Sequence, residues 1–196
     1  MLRERLRSGI VHVGVALRRP EEFAVRWNAG EAHYPWWVWG ALLMTAVLGT
    51  TTYGMTMGLL GGTGEVLYKG MVCTLAAGLA WAIPLPALYI LNSLSGSRLP
   101  ASSTLLAALV TVSWGGLAMI ASIPINWFFT VAIPHPGFVL CVNLLVFTGV
   151  GVAMSDVFLR VMRRLEPQHA APAWWLVLLA VIGAQLFYVG GLFQFD

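Results

Sequence analysis

Chemistry in this chain would have to rest on very few ionisable side chains. Between Trp36 and Ser155 the only Asp, Glu, Lys or Arg residues are Glu65, Lys69 and Arg98. The sequence has no nucleophile placed with a base, no His-Glu-x-x-His metal motif and no phosphate-binding loop with its lysine. It therefore predicts a protein that is not an enzyme, with no catalytic, cofactor-binding or metal-binding residues.

The isolated polar residues each have an ordinary structural explanation. Asp156 and Arg160 are four residues apart, the spacing at which opposite charges pair on one helix face. An intersubunit contact and a proton-linked role for Asp156 stay open. Glu65 and Lys69 repeat the spacing, and we expect an exposed pair in an outer loop. His135 lies between two prolines, which favours a turn over a ligating position on a helix.

The two cysteines, Cys73 and Cys141, each fall near the outer end of an apolar segment. Cysteines in such segments are more often small packing residues than reactive ones. The sequence leaves open whether the two form a disulfide.

The most informative polar feature is an interrupted apolar segment that contains Pro84, Pro86, Tyr89 and Asn92. Each proline removes a backbone donor and bends a helix, so the freed carbonyl groups need other partners. Such a segment either lines a substrate path, as in the discontinuous helices of transporters, or forms a packed kink with hydrogen bonds between helices. We favour the kink and keep the path as the alternative.

The elements that must position these residues are helices in a membrane. Of the 196 residues, 59% are apolar and 10% are charged, and the mean hydropathy is +0.80, which excludes a water-soluble domain. A bilayer core about 30 Å thick needs roughly 20 apolar residues per helix. The sequence therefore predicts an all-α polytopic membrane protein, in which residues 31–196 form a five-helix transmembrane domain. The expected spans are about 36–60, 71–94, 102–123, 137–159 and 173–193.

The positive charges predict an orientation, because Lys and Arg near short loops are retained on the cytoplasmic side. If the N-terminus is cytoplasmic, all but one of the 11 Lys and Arg residues lie inside, and Lys69 lies outside. The sequence therefore predicts a cytoplasmic N-terminus and a C-terminus on the outer side. The inner residues are Arg3, Arg5, Arg7, Arg18, Arg19, Arg26, Arg98, Arg160, Arg163 and Arg164.

Residues 1–30 read as a separate arm. A stripe of apolar residues at helical spacing predicts an amphipathic helix that lies on the membrane, and arginines on its other faces would contact anionic headgroups. Pro20 followed by two glutamates predicts the start of a second short helix. The alternative is a docking surface for a partner protein. The stripe is Leu2, Leu6, Ile10, Val13 and Leu17, and the arginines are Arg3, Arg5, Arg7, Arg18 and Arg19.

Two tryptophans, Trp81 and Trp114, fall near the middle of the expected spans rather than at their ends. A buried indole needs a packed neighbour or a partner for its N–H group. We expect both to face the bundle or another subunit, and favour packing over the stacking of a ligand.

The segment LPALYILNSLSGSRL, residues 85–99, and the closing Gly183-Ala184-Gln185-Leu186 resemble a group of uncharacterised bacterial five-helix membrane proteins. These are distantly similar to the Yip1-type domain, whose members have a cytoplasmic N-terminal region, five spans and a short outer C-terminus. Pro20-Glu21-Glu22-Phe23 resembles the Pro-x-x-Phe with which such domains often begin. The resemblance implies a bacterial inner membrane and carries no catalytic residues.

The chain has many apolar residues that can pack against other helices and few ionisable residues that could do chemistry. The sequence therefore predicts a non-catalytic membrane scaffold or accessory subunit of a larger complex. Its expected partners are a bilayer with anionic headgroups and either another membrane protein or further copies of itself. We expect no nucleic acid, because lipid headgroups account for the basic residues. The alternative is a small transporter, channel or lipid-handling protein that uses the broken second helix.

Overall fold

A computed structural model describes residues 2–168 and 174–193, and within them the chain is helical with no strand. This confirms the all-α class. The helices are α1 Leu2–Arg18, α2 Pro20–Asn28, α3 Trp36–Met57, α4 Thr63–Ala82, α5 Pro84–Leu94, α6 Ala101–Ala132, α7 Pro136–Leu165 and α8 Trp174–Val189.

In the described part of the chain, three helical stretches are long and apolar enough to cross a membrane. They are Thr63–Leu94, which joins α4 and α5, then Ala101–Ala132 and Pro136–Leu165. The chain is therefore a helical membrane protein. The expected spans at 36–60 and 173–193 are not among the three, since tryptophans and threonines dilute the hydropathy of α3 and α8 has only 16 residues.

Prolines mark five of the eight described helix starts, because Pro35 and Pro100 are N-cap residues and three more lie in first turns. Pro20, Pro84 and Pro136 occupy first-turn positions, where the missing N–H group has no partner to lose. The exception is Pro124, which lies inside α6 without ending it, so α6 runs to Ala132 rather than stopping near residue 123. Apolar helices in membranes tolerate an internal proline because neighbouring groups satisfy the freed carbonyl.

The centre of the bundle is the contact between α3 and α6. It depends on two glycines, because a methyl group added at Gly49 would overlap the carbonyl oxygen of Gly116. In the other direction, a methyl group at Gly116 would lie 2.7 Å from the Cα atom of Ala46. The two backbones therefore touch, as small residues allow in membrane helix pairs.

The other helices pack outward from this pair, α4 on α3, α7 on α6 and α8 on α4. The α3–α4 contact combines a close approach at Gly54, where an added methyl group would lie 2.6 Å from Cβ of Cys73, with hydroxyl contacts. The Thr51 and Thr74 hydroxyl oxygens are 2.6 Å apart, and the Thr50 hydroxyl donates to Thr74 over 3.3 Å. Such hydroxyl bonds between helices are common in membrane bundles.

The arm packs on one end of the bundle, since α1 contacts α3, and α2 contacts α6 and α7. A buried cluster of α1, α2, α3 and α6 side chains forms this contact, and a different cluster fills the opposite end of the bundle. The arm cluster is Ala16, Phe23, Val38, Leu42, Leu106 and Val110, and the opposite one is Tyr53, Met57, Cys73, Met119, Val150 and Leu192.

Candidate functional site

Arg160 of α7 is the centre of an ion-pair cluster that joins the arm to the bundle. Its Nε atom lies 3.0 Å from Oδ2 of Asp156, one turn earlier, which is the pair that the sequence predicts. Its Nη1 atom lies 3.1 Å from Oε1 of Glu21 on α2. Sequence spacing could not reveal Glu21 as a partner, because this pair joins residues far apart in the chain.

Further hydrogen bonds at the same end join the arm and two loops. The Ser103 hydroxyl at the start of α6 donates to Oδ1 of Asn28, at the end of α2, over 2.8 Å. The backbone N–H of Arg98 donates to Oε1 of Glu166 over 3.0 Å, and the Ser97 hydroxyl donates to Oε2 of the same carboxylate. The arm, the α5–α6 loop and the end of α7 therefore lie together at this end, which we call the clamp end.

Tyr34 closes the arm onto the start of α3. Its ring stacks on Phe23 with the centroids 3.9 Å apart, and its hydroxyl donates to the Phe23 carbonyl oxygen over 3.1 Å. Burial raises the pKa of Tyr34 above its usual value, while the nearby Arg26 charge opposes this.

The apolar stripe predicted for α1 does not meet one uniform environment. Val13 packs into the arm cluster, but Ile10 is 71% exposed. The outward face carries Ile10, Val11 and Val15, with Arg7 and Arg18 exposed beyond them. Residue spacing alone predicts the stripe. It does not show that Ala16, which is completely buried, is the α1 residue in the buried arm cluster.

One of the predicted headgroup arginines also has a partner within the chain. Arg19 forms an exposed pair with Glu22 at 3.3 Å. The side chains of Arg3 and Arg5, like those of Leu2 and Leu6, lie outside the part of the chain whose side chains the structure describes.

The interrupted segment continues as one helical stretch, Thr63–Leu94, through the two prolines. Ile83, between α4 and α5, keeps helical angles of φ −68° and ψ −50°. Pro84 and Asn92 share a buried face of α5, whereas Pro86 is exposed and Tyr89 is half-buried. The four residues predicted as a path or a kink therefore do not line one surface.

Both mid-span tryptophans pack within the chain. Trp81 is half-buried and meets Phe158 edge to face, with ring centroids 5.7 Å apart. Trp114 packs against the same cluster of buried side chains, which includes Phe158, Val161 and Met162.

The expectation of an exposed Glu65–Lys69 pair in a loop was wrong. Both residues lie in the first turns of α4, with Nζ and Oε1 3.2 Å apart. The Lys69 side chain is only 2% exposed, against 38% for Glu65. The cause is the close approach of α3, because a methyl group at Gly54 would lie 2.6 Å from the Lys69 carbonyl oxygen.

The end of the bundle opposite the clamp end holds a network of buried polar side chains. The Tyr53 hydroxyl donates to Oδ1 of Asn143 over 2.8 Å, and Nδ2 of Asn143 donates to the Val139 carbonyl over 2.8 Å. Nδ2 of Asn126 donates to the Thr56 hydroxyl over 2.8 Å. These bonds join α3 to α6 and α7, so the network is explained by helix packing.

The structure settles the cysteines and His135. Cys73 is buried and Cys141 is exposed, and both are free thiols. His135 is the residue before α7 and accepts the first backbone bonds of that helix through its carbonyl oxygen. Among the described residues no three His, Cys, Asp or Glu side chains are grouped so that they could hold a metal.

One outward surface combines an open glycine with an exposed carboxylate, and we call it the α7 stripe. It runs along the face of α7 that points away from α6, and all of its residues are exposed. Gly149 has no atom within 4 Å of an added methyl group, whereas such a group at Gly115 would overlap the Met154 sulfur. The α7 stripe is Cys141, Leu145, Gly149, Val152 and Asp156.

These features define the class of protein: a helical membrane protein with an N-terminal arm clamped to one end of its bundle. No family model matches the chain, and neither the curated proteins nor the solved structures contain a match. The resemblance to bacterial five-helix proteins and the Yip1-type domain stays a prediction.

Proposed function

We propose that the chain crosses the membrane five times, with α3 and the segment that contains α8 as further spans. α3 has 22 residues without a charge, and it packs against both α4 and α6, which are themselves long enough to span. A helix between two spans occupies the same depth of the bilayer. α8 packs against α4 and contains no charged residue.

The clamp end faces the cytoplasm in this proposal, and the membrane is a bacterial inner membrane. The observation that supports the orientation is the location of the arginines. Arg98 lies in the α5–α6 loop, and Arg160, Arg163 and Arg164 lie in the last turns of α7, beside the arm and its own arginines. Such clustering of positive residues at one end is typical of a cytoplasmic face.

The arm, in this arrangement, lies on anionic headgroups. The outward face of α1 presents Ile10, Val11 and Val15 at 71%, 58% and 46% exposure. Arg7 and Arg18 extend from the same side. Apolar residues that enter the interface and arginines that contact phosphate are the two contributions by which such helices bind membranes.

The function we propose is that of a non-catalytic scaffold or accessory subunit, which binds another membrane chain through the α7 stripe. The observation that carries the proposal is that an open glycine, Gly149, and an exposed carboxylate, Asp156, lie on the same outward helix face. Inside the bundle, Gly49, Gly54 and Gly116 are all used for close contacts between helices. Gly149 offers the same kind of contact, but nothing in the described chain occupies it.

The test is the native mass in mild detergent. We expect the full-length protein to run as a complex larger than the 21.3 kDa chain, and Gly149→Leu to lower the complexed fraction at least tenfold, because its side chain removes the close approach. Gly78→Leu is the matched control, since Gly78 is also exposed with nothing within 4 Å, but on α4. A monomer without any associated chain in the wild type would reject the proposal.

No observation favours the transporter alternative, because Pro84, Pro86, Tyr89 and Asn92 do not share a surface.

A further inference from the structure

We propose that the chain bound at the α7 stripe is a second copy of this protein, arranged in parallel about a two-fold axis. The inference rests on the proposed function, which makes the stripe a docking surface, and adds the identity of the partner. It is argued from the spacing, the shape and the charges of the stripe.

The stripe is unlike a surface made only for lipid. The outward face of α4 carries exposed apolar residues, Leu67, Met71, Leu75 and Leu79, and an open glycine, Gly78, but no charged residue from Met71 to Leu79. The α7 stripe also places a glycine, Gly149, in its middle but ends on Asp156, whose carboxylate is 66% exposed. Arg160 of the same chain already pairs with this carboxylate, but ionisable residues within membrane helices almost always face other protein groups rather than lipid. The stripe therefore fits a protein partner better than acyl chains.

The spacing fits a helix of the same kind. Leu145, Gly149, Val152 and Asp156 are separated by four, three and four residues, which is the seam of a left-handed helix pair. Two copies in one membrane have the same orientation, so a symmetric pair must be parallel and each seam residue lies opposite its own counterpart. The absence of any atom within 4 Å of an added Gly149 methyl group leaves room for two backbones to approach there.

The charges at the inner end are self-complementary. In a parallel pair, Asp156 of one copy faces Asp156 of the second copy, with Arg160 of the second copy one turn away. Arg160 is 50% exposed and binds Asp156 and Glu21 of its own chain through Nε and Nη1. A guanidinium has five N–H donors in a planar fork, so Arg160 can bind a further carboxylate beside these two. The two copies of Arg160 and the two copies of Asp156 then alternate around the two-fold axis. Each carboxylate therefore has an arginine of the second copy nearby as well as the other carboxylate.

Cys141 provides the experiment, because it lies on the stripe, is exposed and is a free thiol, whereas Cys73 is buried. Full-length protein in its membrane is oxidised with copper phenanthroline. We expect a disulfide-linked dimer that disappears in Cys141→Ser. In that background, cysteines introduced at Leu145 and Val152 should restore the dimer. Cysteines at Leu75 of α4 and Leu117 of α6, also exposed, should not restore it.

Asp156→Asn keeps the shape of the side chain and removes its charge. We expect it to reduce the cross-linked fraction roughly fivefold, the size of an exposed ion pair's contribution, with unchanged protein yield. An unchanged cross-linked fraction would overturn the charge pairing.

The other outcomes separate this inference from the proposed function. Cross-links from the α7 positions to a different protein, identified by mass spectrometry, would reject the inference that the partner is a second copy. They would still support the proposed scaffold function. A chain that forms no cross-link from α7 and has the mass of a monomer would overturn both. Equal dimer from the α7, α4 and α6 positions would show random collision and would also reject the inference.

Discussion

Replacing Gly49 by leucine should prevent the central helix pair from forming. A single added methyl group at this position already overlaps the carbonyl oxygen of Gly116, and a backbone atom cannot move aside as a side chain can. α3 and α6 would have to separate along their whole contact, so we expect a loss of at least about 3 kcal/mol, beyond ordinary overpacking. Folded yield in mild detergent and the midpoint of unfolding in SDS would measure it.

The control for this prediction is Gly78→Leu, a change of equal size on the outward face of α4, where nothing lies within 4 Å. It should leave both measurements close to the wild type. If Gly49→Leu gave the same unfolding midpoint as Gly78→Leu, the close contact of α3 with α6 would be wrong.

Removing the Tyr53 side chain should have the second largest effect. Tyr53 is completely buried and meets Phe147 edge to face, with ring centroids 5.6 Å apart. Its hydroxyl is the donor to Oδ1 of Asn143. Tyr53→Ala therefore leaves a cavity and takes away the partner of a buried amide, and we expect a loss of about 3–5 kcal/mol.

Tyr53→Phe separates the two contributions, because it keeps the ring and removes only the hydroxyl. Hydrogen bonds between membrane helices contribute about 0.6 kcal/mol on average, so this variant should lie much closer to the wild type in the SDS titration. Equal losses for Tyr53→Phe and Tyr53→Ala would mean that the hydrogen bond, and not the packing of the ring, stabilises this end of the bundle.

The sequence predicted the helical membrane class and the second short helix of the arm correctly. Composition and proline positions carry this information locally, since Pro20 and Pro136 each begin a helix in the structure. Helix lengths were less predictable. The end of α6 was placed before Pro124, but apolar surroundings let the helix continue to Ala132.

The contacts between distant segments could not be read from the sequence. The Asp156–Arg160 pair follows from spacing, whereas the third member, Glu21, is brought there only by the packing of α2 on α7. Lys69 was expected in an exposed pair and is buried, because the close approach at Gly54 depends on how α3 and α4 pair. The same limit applies to the glycines. Only the fold shows that Gly49 and Gly116 lie in a close helix contact and that Gly149 is open.

The most direct test of the account is the side of the membrane on which each end of α3 and α8 lies. In a Cys141→Ser background, single cysteines at Glu31 and at Asp196 would be labelled with a membrane-impermeant maleimide in intact cells and in inverted vesicles. Gly62→Cys and Arg98→Cys serve as references for the outer and inner loops.

Five spans with a cytoplasmic arm predict that the cysteine at Glu31 is labelled only in inverted vesicles, like the one at Arg98, and that the cysteine at Asp196 is labelled in intact cells, like the one at Gly62. Labelling of both Glu31 and Asp196 cysteines from the same side would contradict the account.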